Sequence, residues 1–300
     1  MKLKGLFKEK TSSFKIFFLL LLVALSYFFH TMLALVIISL IKTNPFSLLS
    51  LTDVLSQNSI IELKLFQLFS SLGLFLTPML IYSHITCHHF NFNKLTRQSV
   101  ILAICIMVLI LPFISLTVEI IKSLNLPEYI IQSDRELDQT TKKFLKMSNY
   151  SDLLFNILLI AIIPAIGEEL VFRGYLQKKI SKRLSNIHIS ICITAIIFSA
   201  IHFHFQAFFA RFILGLVLGY LFVWSKSIWL PILAHFINNF QALLVSFFML
   251  NNKLEIDHKL EHSNTQHTLG LFSLLSVLML LFILHQHLKY ENEKKDQQLS

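Results

Sequence analysis

LLFNILLIAIIPAIGEELVFRGYL, residues 153–176, has the composition of a lipid-facing helix interrupted by two adjacent carboxylates, Glu168 and Glu169. A carboxylate at bilayer depth costs roughly 2.5–3.5 kcal/mol on insertion scales, so a pair of them requires a compensating interaction. Arg173 lies four residues after Glu169, on the same helical face. Helix geometry rotates Glu168 by about 100° from Glu169, so Arg173 cannot serve both equally. Glu169 is therefore expected to be neutralised and structural, which leaves Glu168 for another role.

The rest of the chain has the same character. Of 300 residues, 55% are hydrophobic and only 14% are charged, with 29 phenylalanines. The apolar residues fall in eight runs, each near the roughly 20 residues that cross hydrocarbon: 15–41, 64–83, 99–121, 152–177, 188–205, 207–224, 227–249 and 268–287. The expected fold class is all-α, a polytopic integral membrane protein with about eight transmembrane helices. Lys2, Lys4, Lys8, Lys10 and Lys15 precede the first run, whose length suits an uncleaved anchor better than a signal peptide.

An even number of spans puts both termini on one side. That side then gathers the N-terminal lysines, Lys94, Arg97, Lys178, Lys179, Lys182, Arg183 and the lysines of the tail. The positive-inside rule makes it cytoplasmic. The net charge of +9 thus has a membrane explanation, and its dispersal over short loops gives no reason to invoke nucleic acid. The three cysteines, Cys87, Cys105 and Cys192, are too scattered for a disulfide framework or zinc knuckle. His84, Cys87, His88 and His89 read as a polar cytoplasmic loop. Segment 123–150 suits an interfacial amphipathic helix, and 250–267 an external loop. No linker divides the chain, so residues 1–300 read as a single membrane domain.

Polar residues recur on later spans. Phe198 and His202 are one helical turn apart, as are His235 and Asn239. Counted from the cytoplasmic ends at 1.5 Å per residue, Glu168, His202 and His235 lie about 15, 22 and 14 Å deep. Polar groups at such depths converge on one another or on a water-filled cavity. Pro164 and Pro231 each precede a key residue by four positions and can kink their spans and release a carbonyl. Gly167 and Gly174 bracket the acid–arginine stretch, and Gly215 with Gly219 make a GxxxG packing face.

Taken together, EELVFR (168–173), FSAIH (198–202) and HFINN (235–239) resemble the motifs of the CPBP or Abi intramembrane endopeptidases, the CAAX prenyl protease 2-like and bacteriocin-processing family. The resemblance covers about residues 120–250, which it implies are a protease-like core. It implies an endopeptidase acting on a membrane-associated peptide or protein substrate in the lipid bilayer. Glu168 would activate water, His202 would hold it, and His235 with Asn239 would stabilise the oxyanion. Glu169, Arg173 and Phe198 would support them.

Two accounts of the water remain open. One has no cofactor. The other places zinc on His202, His235 and Glu168, although the HExxH signature is absent. Other functional classes are a proton-coupled transporter and a non-catalytic scaffold or immunity protein. The composition suits a bacterial inner membrane, where bacteriocin processing or immunity is a plausible setting.

Overall fold

A computed structural model describes residues 3–41, 60–250 and 264–299. Among the described residues there are nine helices and no strand: α1 (Ser12–Ile41), α2 (Ile60–Thr86), α3 (Arg97–Lys122), α4 (Glu128–Phe144), α5 (Tyr150–Leu184), α6 (Ile187–Ala200), α7 (Phe208–Ser225), α8 (Trp229–Leu250) and α9 (Asn264–Leu299). Local chemistry sets several boundaries. Thr96, Asn149 and Asn186 accept the backbone N–H three residues on, at 3.2, 2.9 and 3.1 Å, opening α3, α5 and α6. Ser185 and Lys226 enter the left-handed region at φ 52° and 50° and close α5 and α7.

Seven of these helices, all but α4 and α6, are long and apolar enough to cross a membrane. The chain is thus an all-helical, multi-pass membrane protein. Its outer surface is apolar: Phe17, Leu20, Phe28 and Phe29 on α1 and Leu275, Met279 and Phe282 on α9 are exposed. The interior, by contrast, holds charge, and Arg173 is among its largest fully buried side chains. An apolar exterior around buried ion pairs is the arrangement that lipid solvation favours.

The fifth run behaves differently from the expected span 188–205. Its helix, α6, stops at Ala200 after 14 residues, which at 1.5 Å each is about 21 Å, short of the hydrocarbon thickness. Phe203 turns left-handed at φ 52°. The amides of Phe205 and Gln206 then donate to the Asp134 carboxylate at 3.0 and 2.8 Å. Asp134 sits on α4, the expected amphipathic helix, and is its one buried residue. This partner, some seventy residues away, ends α6 and fixes the turn after His202.

Packing around the centre relies on close approach. A Cβ at Gly215 would lie 2.9 Å from the Cβ of Ala195, and one at Gly219 would lie 2.7 Å from Ile191. The GxxxG face therefore lets α7 sit directly on α6. The expected kink at Pro231 is absent. Pro231 lies in the first turn of α8, where an N–H has no helical partner to lose. The carbonyl four residues earlier, Ser227, accepts from Ser225 Oγ at 3.0 Å. His88 is not an ordinary polar loop residue either: its Nε2–H donates to the Gly174 carbonyl at 3.0 Å. Burial holds its pKa below the usual histidine range, so the ring is neutral. Of segment 250–267, residues 251–263 lie outside the described residues.

Candidate active site

Helix α5 is wound unevenly. Residues 157–162 and 170–177 are π-helical, and the α-helical turn Ile163–Glu169 between them carries both glutamates. Such widened turns are frequent at functional sites because each inserts a residue and re-aims the side chains beyond it. Pro164 lies at the start of this stretch and has no N–H to offer the Ile160 carbonyl four residues back. Asn239 of α8 supplies one instead, its side-chain N–H donating to Ile160 O at 3.1 Å. The proline's cost is thus met by a residue of the third motif.

Glu169 and Arg173 pair as the sequence suggests. Both side chains are fully buried, and Arg173 Nη1 donates to Glu169 Oε1 at 2.6 Å. The guanidinium also donates to the Gly215 carbonyl at 3.1 Å and lies 4.8 Å from the centroid of the Phe198 ring. Glu169 has a second partner that the spacing did not suggest: His235 Nδ1–H donates to the same Oε1 at 2.9 Å. One carboxylate therefore anchors a cation on its own helix and an imidazole on α8.

Glu168 is left over. It is 8% exposed, and its Oε2 has no hydrogen-bond partner among the described residues. It lines a cavity of about 460 Å³ together with Phe198, His202, Arg211, His235, Asn238 and Asn239. Glu168, His202, His235 and Asn239 therefore meet around one space, while Glu169 and Arg173 stand behind its wall. Phe198 forms part of that wall, edge-on to His202 at 5.3 Å and to His235 at 5.8 Å.

The histidine tautomers are set by their partners. His202 Nδ1 lies 2.8 Å from the Phe198 carbonyl, which can only accept, so Nδ1 carries the proton. The same holds for His235 against the Glu169 carboxylate. In the neutral His202 ring Nε2 is then a lone-pair acceptor. Asn239 also has part of its capacity engaged, since it donates to Ile160 and accepts from Asn238 at 3.1 Å. Asn238 belongs to the cavity wall.

A zinc ion would want acceptor nitrogens of this kind, each backed by a hydrogen bond. Even so, among the described residues no three His, Cys, Asp or Glu side chains come close enough to hold a metal ion. The donor set matches the group in type but not in spacing.

Two residues here escaped the sequence reading. Arg211, the one charged residue of α7, lines the cavity, and its Nη1 is buried without a hydrogen-bond partner among the described residues. A lone charge in an apolar run was the available signal. Asp134 gave none, being one of several charges on an amphipathic helix. The next residue on that face, Asp138, accepts from His204 Nε2–H at 3.0 Å, and His204 Nδ1 accepts from the Ala207 amide at 3.2 Å.

The comparisons meet at this site. Residues 150–241 match the Rce1-like family, described as type II CAAX prenyl endopeptidase. A curated relative, the uncharacterized protein YpbD of Bacillus subtilis (strain 168), is 30% identical over 86 residues, covering 27% of this chain and 41% of the relative. The chain thus spans about two fifths of that relative's length. No solved structure matches the chain. The stretch 150–241 that matches the Rce1-like family model contains the paired glutamates, both histidines, Arg211 and Asn239.

Proposed function

We propose that this protein is an intramembrane endopeptidase that hydrolyses a peptide bond in a membrane-associated peptide or protein. The observation that carries the proposal is the solitary carboxylate of Glu168, buried, without a partner at Oε2 among the described residues, and facing a cavity shared with two histidines. Glu168 takes a proton from water and returns it to the leaving amine. His202, through its acceptor Nε2, holds that water. His235 stands beside it, held in place by Glu169. Asn239 offers its remaining N–H to the carbonyl. Residues 120–250 serve as the catalytic core of a single membrane domain.

The loop charges favour a bacterial inner membrane with both termini cytoplasmic, which requires the short helix α6 to complete an eighth crossing beside the seven long helices. Reporter fusions at each terminus test that topology, and opposite signals from the two ends would overturn it. The activity itself is tested with purified protein and a library of membrane peptides, using Glu168→Gln as the decisive variant. Cleavage by wild type that persists in folded Glu168→Gln would remove Glu168 as the base. Loss of cleavage on chelation, with zinc found by elemental analysis, would replace this scheme with a metal-dependent one. Proton-coupled flux in proteoliposomes without cleavage would favour a transporter, and a phenotype preserved in inactive variants a scaffold.

A further inference from the structure

The cavity holds two orphaned atoms of opposite polarity. Glu168 Oε2 is an acceptor and Arg211 Nη1 a donor, both buried and both without a hydrogen-bond partner among the described residues. Several donors around them are already engaged. With its Nδ1 proton engaged on Phe198, the neutral His202 ring presents a lone pair, and the Nδ1 proton of His235 is engaged on Glu169. The side-chain nitrogens of Asn239 and Asn238 are each partly engaged, on Ile160 and on Asn239. Peptide hydrolysis, however, needs a strong donor where the carbonyl oxygen gains charge.

A guanidinium N–H removed from water without a bonded partner is unfavourable and calls for an oxygen ligand. Three carboxylates, Glu168, Asp134 and Asp138, lie within electrostatic reach of Arg211 without engaging Nη1. Arg211 lies in the first turn of α7, which follows the turn that Asp134 pins after His202. A peptide unit presents one carbonyl acceptor beside an attackable carbon, and the two orphans fit that unit and its attacking water.

We propose that Arg211 is a catalytic residue that receives the scissile carbonyl oxygen and stabilises the charge developing on it, an inference that rests on the endopeptidase reading. Glu168 removes a proton from water as the water oxygen bonds to the carbonyl carbon, and the carbonyl π electrons move onto the oxygen held by Arg211. Collapse of this tetrahedral species breaks the C–N bond, and the proton on Glu168 passes to the departing nitrogen. Water is the only co-reactant.

The test compares wild type, Arg211→Gln and Arg211→Lys in two assays. On cleaved peptides, Arg211→Gln should lower kcat roughly 100- to 1000-fold, the usual loss for one oxyanion donor, with KM little changed and part of the rate restored by Arg211→Lys. In the binding assay, a small library of phosphinic peptides presents a tetrahedral, anionic oxygen, and the matching ordinary peptides do not. Arg211→Gln should weaken phosphinic binding selectively. Equal weakening of both sets, a rise in KM alone, or an unchanged kcat would overturn the proposal. If wild type cleaves nothing yet binds phosphinic peptides through Arg211, the endopeptidase reading and the catalytic role of Arg211 both fall, and only an anion-binding site is left. If Arg211→Gln does not fold, Arg211→Lys alone decides, since a displaced point charge should still reduce phosphinic binding more than ordinary binding.

Discussion

His235 donates its Nδ1–H to Glu169 across 2.9 Å, joining residues 66 positions apart in the chain. Glu169 is at the same time the anion for Arg173, at 2.6 Å. The acid that looked like half of a local ion pair is the hinge of a three-residue network linking α5 and α8, and it orients an imidazole of the cavity.

Glu169→Gln should therefore damage the fold and the site together. Removing one partner of a buried ion pair costs about 3–5 kcal/mol, because the remaining charge has no compensation. Thermal unfolding in detergent should show a markedly lower midpoint, and activity should fall with it. A variant that melts with wild type would mean that Arg173 is neutralised elsewhere.

Glu168→Gln makes the opposite prediction. Its carboxylate has no hydrogen bond to lose at Oε2, and an amide of the same shape is less costly to bury than a charge. The midpoint should equal or exceed that of wild type while cleavage is abolished. Loss of folding in this variant would return Glu168 to a structural role.

Asn239 and Pro164 should be coupled. Asn239→Ala leaves the Ile160 carbonyl without its 3.1 Å donor, a loss of about 1–3 kcal/mol for a buried polar group. Pro164→Ala restores a backbone N–H at the position that could serve that carbonyl. In a double-mutant cycle Asn239→Ala should then cost less in the Pro164→Ala background, with an interaction energy of about 0.5–3 kcal/mol. Additive effects would show that the two residues act separately.

Asp134→Ala should release the turn after His202. Two backbone amides lose their acceptor, so hydrogen exchange at Phe205 and Gln206 should accelerate, and kcat should fall as His202 loses its position. Asp134→Asn keeps one acceptor oxygen and should retain part of both properties. Unchanged exchange at these amides would place the constraint on the turn elsewhere.

How much of this was legible in the sequence depended on the range of the interaction. Glu169 with Arg173 is a contact within one helix, and the four-residue interval declares it. Phe198 with His202, and His235 with Asn239, are likewise written as one-turn intervals, and their order along the chain pointed to the family that residues 150–241 match. The transmembrane character came from composition alone. The attachment of His235 to Glu169, rather than to the remaining acid, depends on how α8 packs on α5, which no spacing within either helix encodes. The early end of α6 was hidden for a related reason. Residues 201–205 contain no glycine or proline to break a helix, and the breaking is done by a carboxylate on α4. Arg211 could have been noticed, since it is the only charge in its span. It was passed over because no partner stood at helical spacing from it.

The two widened turns of α5 make this helix sensitive to length in a way that its composition does not reveal. Exchanges among Leu, Ile and Val at 157–162 alter packing by degrees. Deleting one residue between 170 and 172 would instead bring the arginine four positions from Glu168 and three from Glu169. The identities of the two acids would then trade places without either being mutated. In this helix, an insertion or deletion of one codon is thus a more informative genetic marker of lost chemistry than most substitutions.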